Sequence, residues 1–287
     1  MNMNLLPLLL LFLSLPIAAD LKRDGTSSRF NSLRVRAIEG NTNAQFNLGI
    51  AYQFGRDISR DLVEAQRWYQ EAAQEDHTGA QFNLAFLFLQ KQEDEKAVLW
   101  YRQAAKKGYA PAQRALSKMY LEGRGVSQDF SKATKWCGRA ARQGFSEAQF
   151  DLGVAYDLGR GVERDLKKAI TWWQRAANQG HANAQYNLGV SLEFGQGVQQ
   201  DQNEAIKWYR LSALQGHGDS QLNLGAAYAN GRGVPRNFVI AHMWLQLAAE
   251  NGLPQAISNR EILAVNMATA DIQRAQELAR QVIPVPQ

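Results

Sequence analysis

Residues 148–180 read AQFDLGVAYDLGRGVERDLKKAITWWQRAANQG, and two helices with a turn between them are legible in that stretch. Ala148, Leu152, Gly153 and Tyr156 sit at offsets zero, four, five and eight, a spacing that gathers small and apolar side chains on one helical face. Gly159 and Gly161 then interrupt the pattern, and glycine admits the positive φ that a tight link between helices needs. Asp165 is placed to open the second helix, and Gly180 to close it.

The same writing recurs on both sides of this stretch. It returns as AQFNLGIAYQFG from Ala44, AQFNLAFLFL from Ala80, AQRALSKMYLEG from Ala112, AQYNLGVSLEFG from Ala184 and SQLNLGAAYANG from Ser220. Successive steps are 36, 32, 36, 36 and 36 residues, and Ala256 stands one further period on. Trp68, Trp100, Trp136, Trp172, Trp208 and Trp244 keep the phase, as stacked supersecondary units would. Gly-x-Gly-Val links occur at Gly123/Gly125, Gly159/Gly161, Gly195/Gly197 and Gly231/Gly233. They lack the preceding strand and the remaining motif of a dinucleotide-binding loop, so no cofactor is expected there.

Second helices are expected to open at Asp61, Asp129, Asp165, Asp201 and Asn237. Asp61 with Glu64, and Asp201 with Glu204, fit a capping box in which both side chains satisfy terminal N–H groups. An apolar stripe runs through Ala65, Trp68, Tyr69, Ala72 and Ala73, matched by Ala205, Trp208, Tyr209 and Ala213. The helices stop at Gly108, Gly144, Gly180, Gly216 and Gly252, with Asp76 taking that place once.

Ala-x-x-x-Leu-Gly, Gly-x-Gly-Val, Asp-x-x-x-Ala-x-x-Trp and the terminal Gly together resemble the Sel1-like repeat family, a branch of the tetratricopeptide-like helical repeats, over about residues 29–287. The resemblance implies an all-α fold, an α/α solenoid in which helix-turn-helix repeats wind into a right-handed superhelix that scaffolds protein complexes. It implies no shared chemistry. Secreted relatives that clamp each helix pair with cysteines differ from this chain, whose one cysteine is Cys137, so activities tied to that clamp, such as β-lactam binding, are not carried over.

Six repeats are expected over residues 44–79, 80–111, 112–147, 148–183, 184–219 and 220–255. Residues 20–43 form an N-terminal segment in which 29–40 resemble a lone second helix ending at Gly40, and 256–287 read as C-terminal capping helices, with Thr269 as a cap. Between Leu89 and Lys96 the short repeat loses four residues and its glycine turn, which should shorten one loop without breaking helix phase. Leu5 to Ile17 is an apolar run of signal-peptide length, too short to span a bilayer, and Ala18-Ala19 precede the first charge at Asp20. Residues 1–19 are therefore read as a signal peptide, giving a periplasmic or secreted protein; a retained membrane anchor is the alternative, since MNMN brings no Lys or Arg.

A repeat scaffold acts through its surfaces. Offsets two and six of the first helices project away from the packing face and hold Phe46/Ile50, Phe82/Phe86, Arg114/Lys118, Phe150/Val154, Tyr186/Val190 and Leu222/Ala226. They form either an apolar trough with a basic step at Arg114 and Lys118, or tight packing between repeats. Offset three holds Asn47, Asn83, Asp151, Asn187 and Asn223, whose amides could pair with the backbone of an extended peptide or satisfy neighbouring turns. Residues 112–147 carry 7 Lys/Arg against 3 Asp/Glu, and Lys132, Lys135 and Arg139 share an outer helix face that could steer an acidic protein, an anionic glycan or a membrane surface.

Composition excludes other classes. The 287 residues are 45% hydrophobic, ample for a folded core, and 32 Lys+Arg against 27 Asp+Glu is no nucleic-acid signature. His77, His181 and His217 recur at one unit position, on successive layers instead of around one centre, so packing or capping is expected and no metal. Cys137 stands where a tyrosine follows Trp68, Trp100 or Trp208 and reads as a core thiol. Ser, His and Asp form no recognisable nucleophile motif. A non-enzymatic scaffold binding a protein or peptide, monomeric on its own, is the main expectation; a cell-wall-related hydrolase or substrate-binding protein, or a polymer- or membrane-binding structural component, are the alternatives.

Overall fold

The computed structural model of the protein describes residues 26–282, and every regular element in them is an α-helix. The expected signal peptide over 1–19 lies outside the described residues. In chain order the helices are α1 (Thr26–Ile38), α2 (Thr42–Phe54), α3 (Leu62–Gln74), α4 (Thr78–Gln90), α5 (Asp94–Lys106), α6 (Ala110–Glu122), α7 (Phe130–Arg142), α8 (Ser146–Leu158), α9 (Leu166–Asn178), α10 (Ala182–Phe194), α11 (Gln202–Ala213), α12 (Gly218–Asn230), α13 (Phe238–Glu250), α14 (Pro254–Ala264) and α15 (Thr269–Val282). The chain forms two compact units, one ending at Gln90 and the other starting at Lys91. The fold is an all-α solenoid of paired helices.

In the first unit α1 packs on α2, α2 on α3 and α3 on α4. In the second each helix from α5 to α13 packs on the next, and α15 returns to α13. Most of these helices are 13 residues long, a length that is marginal in isolation, so packing holds them. Alanine makes that packing close: Ala140, Ala148, Ala169, Ala176, Ala184 and Ala205 are all buried. The residue after each phased Trp goes deeper than the Trp itself, with Tyr69, Tyr101, Cys137, Trp173, Tyr209 and Leu245 all buried. Gly189 shows why glycine stands at offset five: a Cβ there would lie 2.6 Å from the Tyr209 ring.

Several expectations are sharpened. First helices begin two residues before the Ala anchor, at Thr42 in place of Ala44, because the residue three before the anchor is the N-cap. Asp61, Asp129, Asp165, Asp201 and Asn237 cap the second helices, each side-chain oxygen accepting a backbone N–H at 2.8–3.1 Å. The capping boxes are only half formed. The Asp61 and Asp201 N–H groups already donate to the Tyr52 and Leu192 carbonyls at 2.9 Å, so Glu64 and Glu204 turn outward to Arg67 and Lys207. Thr269 lies inside α15, and the Ala268 carbonyl accepts the first bonds of that helix.

The short repeat keeps two 13-residue helices and links them by residues 91–93, where the next repeat uses 123–129. Gln92, at φ 63°, makes that turn without glycine. In the longer links the second glycine answers to a neighbour as well as to the turn. Gly161 has φ 72°, and a Cβ there would overlap the Phe130 carbonyl at the start of the preceding second helix.

Candidate functional site: the face of the first helices

Before three of the first helices, α4, α10 and α12, a histidine organises the surrounding seam. His77, His181 and His217 are N-caps whose Nδ1 atoms accept the Ala80, Ala184 and Ser220 N–H groups at 3.0, 3.3 and 3.3 Å. A backbone N–H can only donate, so Nδ1 is unprotonated and Nε2 carries the ring proton. Each imidazole also stacks on the offset-two aromatic of the preceding first helix: His77 on Phe46 at 4.4 Å, His181 on Phe150 at 4.6 Å, and His217 on Tyr186 at 4.8 Å. Burial holds all three imidazoles below their ordinary value.

The offset-two and offset-six residues divide between the two readings of the sequence. Phe82, Phe86 and Leu222 are buried, as tight packing requires. Phe46, Ile50, Phe150, Val154, Tyr186, Val190 and Ala226 are half-buried, each leaving part of its surface on the face. In the second unit α8 and α10 thus present Phe150 and Tyr186 on successive first helices, each braced from behind by a histidine.

The basic step is not a pair of free charges. Arg114 donates through Nε to Asp151 Oδ2 at 2.6 Å, joining α6 to α8, and its side chain keeps 11% exposure. Lys118 is half-buried and makes no hydrogen bond or ion pair with any described residue. Burial and the neighbouring Arg114 hold its ammonium below the usual lysine range, against Asp151 and Glu122. Among the offset-three amides, Asn83 lies near the Tyr69 hydroxyl and Asn223 near that of Tyr209. Those hydroxyls donate to Gln53 at 2.5 Å and Glu193 at 2.7 Å. Asn47, exposed, and Asn187, half-buried, keep side-chain amides without a partner among the described residues.

A buried ladder unread in the sequence runs behind this face. At offset one, Gln113, Gln149, Gln185 and Gln221 each donate Nε2 to the carbonyl eight residues back, at 3.1–3.2 Å, and Gln45 does the same to Ala37 at 3.3 Å. The Oε1 atoms of the first four accept from Gln143, Gln179, Gln215 and Asn251, at 2.7–2.8 Å. The invariant second letter of AQ, or SQ from Ser220, is the signal that carried it.

On the outer face Lys132 pairs with Asp129 at 2.9 Å, Arg124 pairs with Asp94, and Arg139 lies over the Trp136 ring at 4.3 Å. Only part of the local basic excess is therefore unpaired. Cys137 is buried, and burial pushes its thiol far above the reactive range. Among the described residues no group of three or more His, Cys, Asp or Glu could hold a metal ion, and no helix is long and apolar enough to cross a membrane.

A family model described as Sel1 repeat matches residues 42–77, 78–109, 110–145, 146–181, 182–217 and 218–253. The chain is similar to c5321, a protective antigen present in uropathogenic Escherichia coli strains that displays an SLR fold, at 31% identity and TM-score 0.83 over 92% of this chain. It spans 57% of that protein's length. A Sel1 repeat protein from Oxalobacter formigenes is 36% identical, with TM-score 0.74, over 80% of this chain and 68% of its own. No curated protein matches.

Proposed function

This chain belongs to the Sel1 repeat family, and from that premise we propose that it is a non-enzymatic interaction scaffold whose first-helix face binds a segment of a protein partner. The observation that carries the reading is the pair Phe150 and Tyr186, half-buried on successive first helices and each held by a stacked histidine. Aromatic side chains dominate binding energy at interfaces, and anchors already fixed before binding lose less entropy when a partner arrives. Both rings also pack against the core of the second unit, which fixes them in place while part of each surface stays exposed.

We place this activity outside the cytoplasm. The support is the apolar run Leu5 to Ile17 followed by Ala18-Ala19, and export fits the similarity to c5321, itself a protective antigen. N-terminal mapping of the protein recovered from the envelope or medium should begin near Asp20; an intact Met1 on a cytoplasmic protein would refute export.

The binding reading is tested by proximity labelling in the native envelope with the parent chain and with Tyr186→Ala. One partner enriched by the parent and lost with the still-folded variant supports the face. An unchanged partner set moves attention to the outer surface around Lys135 and Arg142.

A further inference from the structure

Arg114 and Lys118 lie one turn apart on α6, beside Asp151 on α8. We propose that this seam is a carboxylate-recognition site: it takes an acidic side chain of an extended partner segment, whose neighbouring apolar side chain rests on Phe150 and Tyr186. The proposal builds on the binding face described above and names the chemistry of its ligand.

The first argument is an incomplete fork. Arg114 meets Asp151 through Nε alone, and its Nη nitrogens have no acceptor among the described residues. Arg124 shows the complete arrangement in the same unit, with Nε 3.1 Å from Asp94 Oδ2 and Nη2 2.8 Å from Oδ1. Guanidinium groups favour such two-point pairing with carboxylates, so Arg114 retains the half that a second carboxylate would fill.

The second argument is Lys118, a half-buried residue whose ammonium has no acceptor among the described residues. The like charge of Arg114 opposes it, while Asp151, already engaged by Arg114, the exposed Glu122 and the buried Cys137 favour it from beyond ion-pair distance. Withdrawing a cation from water without a fixed partner is costly, and the cost is recovered when a ligand supplies the missing oxygen atoms. Two donors with unfilled capacity at one seam, one of them nearly buried, suit a single anionic side chain. A flat lipid surface or a polymer would instead call for exposed cations. The adjoining Phe150–His181 stack sets the apolar part of the ligand beside the acidic part.

The test uses the full chain and fluorescein-labelled pools of short peptides shuffled from Phe, Leu, Val and Ser, carrying either paired Glu or paired Gln, read by fluorescence anisotropy. The Glu pool should bind about tenfold tighter than the Gln pool. Lys118→Gln should shrink that preference to about twofold or less while leaving the thermal midpoint unchanged or higher, and Lys118→Arg should keep the preference. Equal binding of the two pools that is lost in Tyr186→Ala overturns the carboxylate site and leaves the face reading standing. Binding indifferent to Tyr186 overturns the face reading itself. Retention on phosphatidylglycerol vesicles that depends on Lys118, without a Glu preference, overturns the peptide assignment in favour of a membrane surface.

Discussion

Gln45 has the one glutamine-ladder position whose partner is chemically unable to answer. Its Nε2 donates to Ala37, but its buried Oε1 has no partner, because Glu75 stands where Gln143, Gln179 and Gln215 stand in later repeats and a carboxylate has no proton to donate. Glu75→Gln should therefore complete the bond and stabilise the protein by about 0.5–1.5 kcal/mol in urea melts, whereas Gln143→Glu should destabilise it by a similar amount. No change in either variant would mean that the ladder does not contribute to stability. The six glutamines were visible in the sequence at a fixed offset, yet periodicity alone cannot say that a polar side chain points inward; burial and partners decide that. Cys137, by contrast, could be read from its phase beside Trp136, since the tyrosines it replaces belong to the packing stripe. The pairing of Arg114 with Asp151 joins residues 37 apart, one period plus one, so it could be found only by comparing the two helices side by side.

Helix existence, the Asp caps and the glycine stops were legible because each has a local cause in backbone chemistry. The half-formed capping boxes were not, since what displaces Glu64 and Glu204 is a tertiary hydrogen bond from the cap's own N–H. The histidines were legible as packing or capping residues from their shared unit position, but not as both at once: histidine is not a preferred N-cap residue, and here each cap comes with a ring stacked behind it. His181→Ala removes both cap and stack and should cost about 1–2.5 kcal/mol, and His181→Asn should recover only the cap. If Asn and Ala behave alike in thermal melts, the capping bond carries no stability. The links separate two roles of glycine in the same way. Gly159→Ala meets chiefly its φ of 64°, costing about 1 kcal/mol. Gly161→Ala adds overlap with Phe130 and should cost at least about 1 kcal/mol more.

At the scale of the molecule the histidines make stability a function of pH. His77, His181 and His217 cap and stack in their seams, and His242 is buried in α13 with Nδ1 unpartnered. Burial lowers all four from the ordinary 6.5; Arg260 adds to the effect at His242, while Glu147 and Asp151 oppose it at His181 and Asp219 at His217. A depressed imidazole binds its proton more readily in the unfolded chain, so its contribution is complete above 6.5 and is lost as the pH falls through the lowered folded value. Protonation also places hydrogen on Nδ1, which turns the cap's acceptor into a donor facing a backbone N–H. Repeat arrays depend on nearest-neighbour interfaces, so weakening several seams at once lowers the stability of each stack more than one seam would. Urea midpoints should therefore be flat from pH 8 to 7 and decline below about 6.5. The variant with Asn at positions 77, 181 and 217 should start lower and decline less steeply, leaving the slope due to His242 and the carboxylates. Parallel curves for parent and triple variant would assign the acid sensitivity to carboxylates such as Asp129 and Asp165, whose caps hold them below the usual range.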